Sequence, residues 1–184
     1  MAVATTTTKQ KIVMKKVIAL IGGLTGAATV TLLHQALKTV APQVAPRMDL
    51  LGMEAMKKIR NRVHLSIPSE DVLYKQTFIG DIVANTLYYS LAGGNTADLK
   101  GTVLGIAAGI GAVQLPEKLH LNPAHSNRTK ATEYLTMGMY IAGGLIAAAT
   151  IGNLTQLTNK VERKVKKAKV PAIKVGKLRR KLHI

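Results

Sequence analysis

The sequence predicts an all-α integral membrane protein: a four-helix transmembrane bundle with an interfacial amphipathic helix and a basic C-terminal tail. Three observations predict it. Tyr134–Leu154 is an uncharged run of twenty-one residues. As a helix at about 1.5 Å per residue it covers roughly 30 Å, the thickness of a bilayer's hydrocarbon core. Three weaker apolar runs precede it, at 17–38, 77–93 and 99–115. The apolar residues are also small: the 184 residues include 16 glycines, one Phe and no Trp. An aromatic core is out of reach, whereas helices in lipid pack closely through small residues.

Length allows one domain, and hydrophobic residues make up 47% of it, concentrated in the four runs. The formal net charge is +17, from 26 Lys and Arg against nine Asp and Glu. So basic a balance calls for an acidic partner, either anionic lipid or nucleic acid. There is no cysteine, which excludes disulfides, thiolate nucleophiles and Cys-ligated metal.

The first ten residues include Thr5–Thr8 and carry no periodic pattern. They are expected to fray as a cytoplasmic tail. Lys9, Lys11, Lys15 and Lys16 then precede the apolar run Val17–Leu33. Its seventeen residues exceed the usual signal-peptide core of about 7–15, so it reads as a retained first span. Gly22 and Gly26 share one face of it, a spacing that permits close helix approach.

Pro42 and Pro46 end the first span, and Pro46 suits the start of another helix. Over 47–63, Met48, Leu51, Ala55, Ile59 and Val63 recur at helical spacing, with Lys57, Lys58, Arg60 and Arg62 on another face. Too polar to span, this segment reads as an interfacial helix; docking on the bundle's own end is the competing reading. The residues APRMDLLGMEAM, Ala45–Met56, resemble a run in an uncharacterised family of bacterial multi-span membrane proteins. The resemblance covers about the first sixty residues. It implies a bacterial inner membrane and carries no activity.

Ser69, Glu70 and Asp71 can open the next helix, because acids favour helix N-termini. The second span is the most polar, with Asp81, Asn85, Tyr88 and Tyr89. Gly94, Asn95 and Thr96 make a tight turn into the third, which carries Gly101, Gly105 and Gly109 and stops at Pro116. So short a turn makes spans two and three antiparallel neighbours. A re-entrant hairpin in a two-span protein is the rival topology. In the fourth span Gly144, Ala148 and Gly152 repeat the small-residue spacing. Beyond Leu154 the helix is expected to leave the membrane and break at Pro171. Residues 1–154 thus form the bundle and 155–184 a basic cytoplasmic tail.

With four spans, sixteen Lys and Arg fall on the side of the termini and ten on the other. That bias places both termini in the cytoplasm of a multi-pass protein.

Candidate chemistry is sparse. Asp81 is a carboxylate inside a membrane helix, a costly placement that usually marks function. His34 lies at a similar depth on the first span and can pair with it, with Asn85 and Tyr88 deeper. This would make a proton or cation site; the structural alternative is an interfacial Asp and an unconnected His. His120, His125, Glu117, Glu133 and His64 offer no fixed ligand geometry, so neither metal nor cofactor is expected. No phosphate-binding loop, nucleophile elbow or zinc-protease motif occurs, and no enzyme activity is expected. In the tail, Lys160, Arg163, Lys164, Lys166, Lys167, Lys169, Arg179, Arg180 and Lys181 are interleaved with Val and Leu and no aromatic. This favours anionic membrane lipid over nucleic acid, which wants stacking residues. A structural or accessory protein, alone, as a homo-oligomer or in a larger membrane complex, accounts for these features. A small channel or transporter using His34, Asp81 and Asn85, and a holin-like pore former, are the alternatives.

Overall fold

A computed structural model describes the backbone of residues 2–94 and 96–181 and the side chains of residues 9–94 and 96–168. All its elements are helices: α1 Ala2–Val40, α2 Met48–Arg62, α3 Glu70–Ser90, α4 Ala97–Lys118, α5 Ala124–Asn127 and α6 Lys130–Lys181. Three of them, within α1, α4 and α6, are long and apolar enough to cross a membrane. At 21 residues α3 is also long enough, roughly 31 Å, but Glu70, Asp71, Lys75 and Asp81 dilute its apolar character.

Helix α6 is the central strut. Its consecutive Gly143 and Gly144 admit a neighbour on each side. A β-carbon at Gly143 would stand 2.6 Å from Val30 of α1, and one at Gly144 would stand 2.9 Å from Cα of Gly105 in α4. Gly22 and Gly26 of α1 both face α6, opposite Ala147 and Ile151 or Gly143. Gly101, Gly105 and Gly109 of α4 meet α6 at Ala148, Ile141 and Met137 in turn. Rising number on one helix meets falling number on the other, so α1 and α4 both run antiparallel to α6. The four-residue lane on α6 ends at Ala148, since a β-carbon at Gly152 would meet only Asp98 Oδ1, at 3.9 Å.

Helix α3 lies on α1, where Gly23 sits against the backbone of Thr86 and Ser90. The expectation that α3 and α4 would be packed neighbours needs correction. They are antiparallel, but their contact is slight, because the glycines of α4 are spent on α6. Two tyrosines bridge the gap. Tyr88 Oη donates to the carbonyl of Leu104 in α4 at 2.9 Å, and Tyr89 Oη donates to the carbonyl of Tyr140 in α6 at 2.7 Å. Their rings meet edge to face at 5.4 Å. Tyr89 is fully buried with Val30, Tyr140 and Ala147 at mid-bundle, and Ile18, Ala92, Ala97 and Ile151 close the core at one end.

Several element limits differ from expectation. Helix α1 begins at Ala2 rather than after a frayed tail, because no glycine or proline interrupts the chain before Gly22. Ser69 and Glu70 do open α3. Pro116 lies inside α4, which runs on to Lys118. In a last turn, proline removes one donor and the remaining residues still close their bonds to preceding carbonyls. Pro171 likewise falls within α6, a single helix of 52 residues, where a lost hydrogen bond does not break the helix. The loop after α4 contains the short helix α5. Gly94, at φ +117°, makes the turn that glycine favours there; Asn95 lies outside the described residues.

Candidate functional site

The polar side chains converge at one end of the bundle, where α1 finishes. Pro42 and Pro46 reverse the chain there, and the first turn of α2 comes back beside the last turns of α1. This places Asp49 within reach of Lys38 Nζ at 2.8 Å, Arg47 Nε at 3.2 Å and His34 Nε2 at 3.7 Å. The Asp49 side chain is only 9% exposed. Burial pushes its carboxyl up, but hydrogen bonds from Arg47 and Lys38, with their charges, prevail and hold it at about 2. Asp49 is therefore an anion that ties α2 to the end of α1.

His34 is buried, and its Nε2–H donates to the carbonyl of Pro46 at 3.0 Å. Asp81 accepts from Asn85 Nδ2 at 2.9 Å, one turn along α3. The structure thus brings His34 and Asp81 to one place and gives each a different partner. Both line a cavity of about 50 Å³ between α1, α2, α3 and α6, together with Thr31, Asp49, Thr77 and Tyr140. Tyr88 is elsewhere, turned to α4. Of the four intramembrane polar residues predicted, two line the cavity, Asn85 buttresses one of them, and Tyr88 is a helix bridge.

Thr31 and Thr77 were not foreseen. Most threonines on these helices return the hydroxyl to a carbonyl three or four residues back, as Thr25, Thr29 and Thr39 do. The Oγ1 atoms of Thr31, Thr77 and Thr86 are buried without a hydrogen-bond partner among the described residues, and of the three Thr31 and Thr77 line the cavity. Asp49 was missed too. Its signal was an acid two residues after Arg47, in the first turn of the following helix.

Helix α2 docks on the bundle. Gly52 closes against Thr77 of α3, and Leu51 is buried. From its other side Glu54 accepts the backbone N–H of Asn122 at 3.0–3.1 Å and faces His125 Nε2 at 3.7 Å. Lys58 donates to the carbonyl of Leu119, Arg128 donates to that of Gln43, and the Arg47 N–H donates to the carbonyl of His125 at 2.7 Å. Thr136 of α6 then holds α5 from beneath through the carbonyl of Ser126, at 2.7 Å. His125 and Glu54 therefore serve a clasp between α2 and the α4–α6 connection. Ile59 and Val63 stay exposed at the far end of α2.

At the opposite end α1 and α6 run on together beyond the α3–α4 turn, joined by Lys11 and Glu162 at 3.3 Å. Between them is an open apolar groove of about 830 Å³, lined by Val13, Met14, Val17, Val161 and Val165. Lys9, Lys11 and Lys166 stand on its rim. Lys160, Arg163, Lys164, Lys166 and Lys167 are exposed on this extension. The side chains of Lys169, Arg179, Arg180 and Lys181 lie outside the described residues.

No protein-family model, curated protein or solved structure matches this chain.

Proposed function

We propose that the chain is an integral membrane protein of structural or accessory role, with α1, α3, α4 and α6 crossing a bacterial inner membrane and both termini in the cytoplasm. The observation that carries this reading is the inversion of side-chain size. The candidate spans turn Leu20, Leu24, Leu32, Val103, Ile106 and Leu145 outward, and pack inward on glycine. Lipid solvates the large side chains, and close backbone approach then holds the helices together. Helix α3 fits the same scheme, with Ile79, Val83 and Leu87 outward. It runs beside α1 from Thr86 to the polar end, a depth that suits a full crossing better than a re-entrant hairpin.

The partner in this reading is anionic lipid. Lys160 follows Leu154 by about 9 Å of helix rise, close to one Debye length from the surface. The groove between α1 and α6 offers an apolar bed for an acyl chain and lysines for a phosphate. A rigid bundle closed by Gly26 on Gly143 and Gly105 on Ile141 suits a strut in a larger membrane assembly more than a conduit.

Single cysteines at Gln10, Thr96 and Ala124, all exposed, test the topology in intact cells. An impermeant maleimide added outside should label Ala124→Cys only. Labelling of Thr96→Cys equal to that of Ala124→Cys would remove the four-span reading. In the same protein, replacing Lys9, Lys11 and Lys166 with Gln should weaken its preference for anionic over zwitterionic nanodiscs. An unchanged preference would remove the lipid assignment.

A further inference from the structure

We infer that the cavity beside His34 binds one partly dehydrated monovalent cation of sodium size, with Asp81 as its counter-charge and the hydroxyls of Thr31 and Thr77 as further ligands. Two carboxylates line this cavity, and they differ in one respect. Asp49 is matched by Lys38 and Arg47. Asp81 has no cationic partner among the described residues; its one hydrogen bond comes from the neutral amide of Asn85. The cavity therefore carries a negative charge that the protein leaves unbalanced. The nearby cations Lys38 and Arg47 are held on Asp49, and His34 has committed its Nε2–H to Pro46.

The threonines are the independent observation. Thr77 is 9% exposed, lines the cavity, and its Oγ1 finds no partner among the described residues; Thr31, half-buried, lines it too, and its Oγ1 is likewise unpartnered. Buried hydroxyls left unpaired are destabilising, so a pair of them beside an unbalanced carboxylate calls for an occupant that accepts oxygen ligands. Hard cations take such ligands. Size and charge narrow the choice. About 50 Å³ holds a few water-sized bodies, too little for an organic substrate or a fully hydrated ion. Among the described residues no group of three His, Asp or Glu side chains is placed to hold a divalent metal, and one free carboxylate matches one positive charge. Asp81 itself is exposed over part of its surface, which puts it at the cavity mouth where an ion enters.

The site makes no demand on the structural role proposed above, and its test is separate. The 184-residue chain is purified in one detergent, and its melting temperature is followed while sodium chloride replaces choline chloride at constant ionic strength. Binding to the folded state alone should raise the melting temperature with the logarithm of sodium concentration above the dissociation constant, by roughly 3–6 °C at ten times that constant. Thr77→Val should weaken the response, and Asp81→Asn should abolish it. Equal melting temperatures of the unaltered protein in sodium and choline would overturn the proposal without recourse to any variant, leaving a cavity that holds water. A sodium response retained in full by Asp81→Asn would overturn it as well.

Discussion

Lys38, in the last turn of α1, places its Nζ 2.8 Å from Oδ2 of Asp49, in the first turn of α2. Arg47 reaches the same carboxylate from the turn between the helices. The pairing closes a chain reversal that holds two prolines, and it sits where the bundle meets the amphipathic helix. An exposed ion pair contributes little, but this carboxylate is nearly buried and hydrogen-bonded to both cations. Removing the anion strands two cations; removing one cation leaves the anion short of partners.

The consequence is an acid-sensitive join. The folded carboxyl of Asp49 is held at about 2, below its ordinary 3.8. A depressed folded value means that the stabilisation is fully present above about pH 4 and is lost as pH falls from there toward 2. Its size at neutrality is on the order of 2 kcal/mol, at about 1.4 kcal/mol per unit. Melting temperature between about pH 6 and pH 2 should therefore fall less steeply in Asp49→Asn than in the unaltered protein. The variant should be the less stable of the two near neutrality. Parallel acid profiles would assign the sensitivity to other carboxylates.

The glycines separate close packing from mere frequency. A β-carbon at Gly105 would stand 2.8 Å from Cα of Ile141 and 2.9 Å from the carbonyl oxygen of Tyr140. These are backbone atoms and cannot move aside without shifting α6. Gly105→Ala should destabilise the protein by about 1–3 kcal/mol, as overpacking does. Gly138, on the same strut, has open space around its missing β-carbon. Gly138→Ala should be neutral or gain about 0.5–1 kcal/mol from backbone entropy. Denaturant unfolding of both variants in one detergent gives the comparison. Equal effects at the two sites would mean that α4 and α6 do not meet at Gly105.

These two sites also mark what could be read in advance. The four-residue spacing of Gly101, Gly105 and Gly109 was visible because close helix packing selects small residues at a fixed period. Ser69 with Glu70 was visible because an N-terminus has a local chemical signature. The partner of each glycine face was not visible. Span order suggested α3 against α4, while the tight contacts are α4 on α6 and α3 on α1. Helix ends at Pro116 and Pro171 were misplaced because one missing donor weakens a helix without ending it. Asp49 escaped notice because its surroundings come from residues 34, 38 and 47, brought together by a chain reversal. The Glu54 clasp spans 68 residues to Asn122 and leaves no local trace at all. Asp81 was singled out for its place in an apolar run, and the structure does put it on a cavity. Its hydrogen bond comes from an amide one turn away, while His34, the charge weighed as its partner, lines the same cavity.

The pairing of His34 can be settled energetically. Adjacency of His34 to Asp81 was plausible from depth alone, and both side chains do line the same cavity. Yet His34 Nε2 is 3.0 Å from the Pro46 carbonyl and 3.7 Å from Asp49 Oδ1, while Asp81 is bonded to Asn85. Groups that share partners couple, and groups that do not are additive within about 0.3–0.5 kcal/mol. His34→Ala combined with Asp49→Ala should therefore lose less stability than the two singles together, by about 0.5–3 kcal/mol. His34→Ala combined with Asp81→Ala should be additive, measured in sodium-free buffer so that no shared ion links the two. Unfolding of all five variants at one pH and in one detergent supplies both cycles. Coupling found only in the Asp81 cycle would reverse the assignment and make His34 and Asp81 a direct pair. Coupling found only in the Asp49 cycle leaves Asp81 as the cavity's unmatched charge, the condition that a bound cation requires.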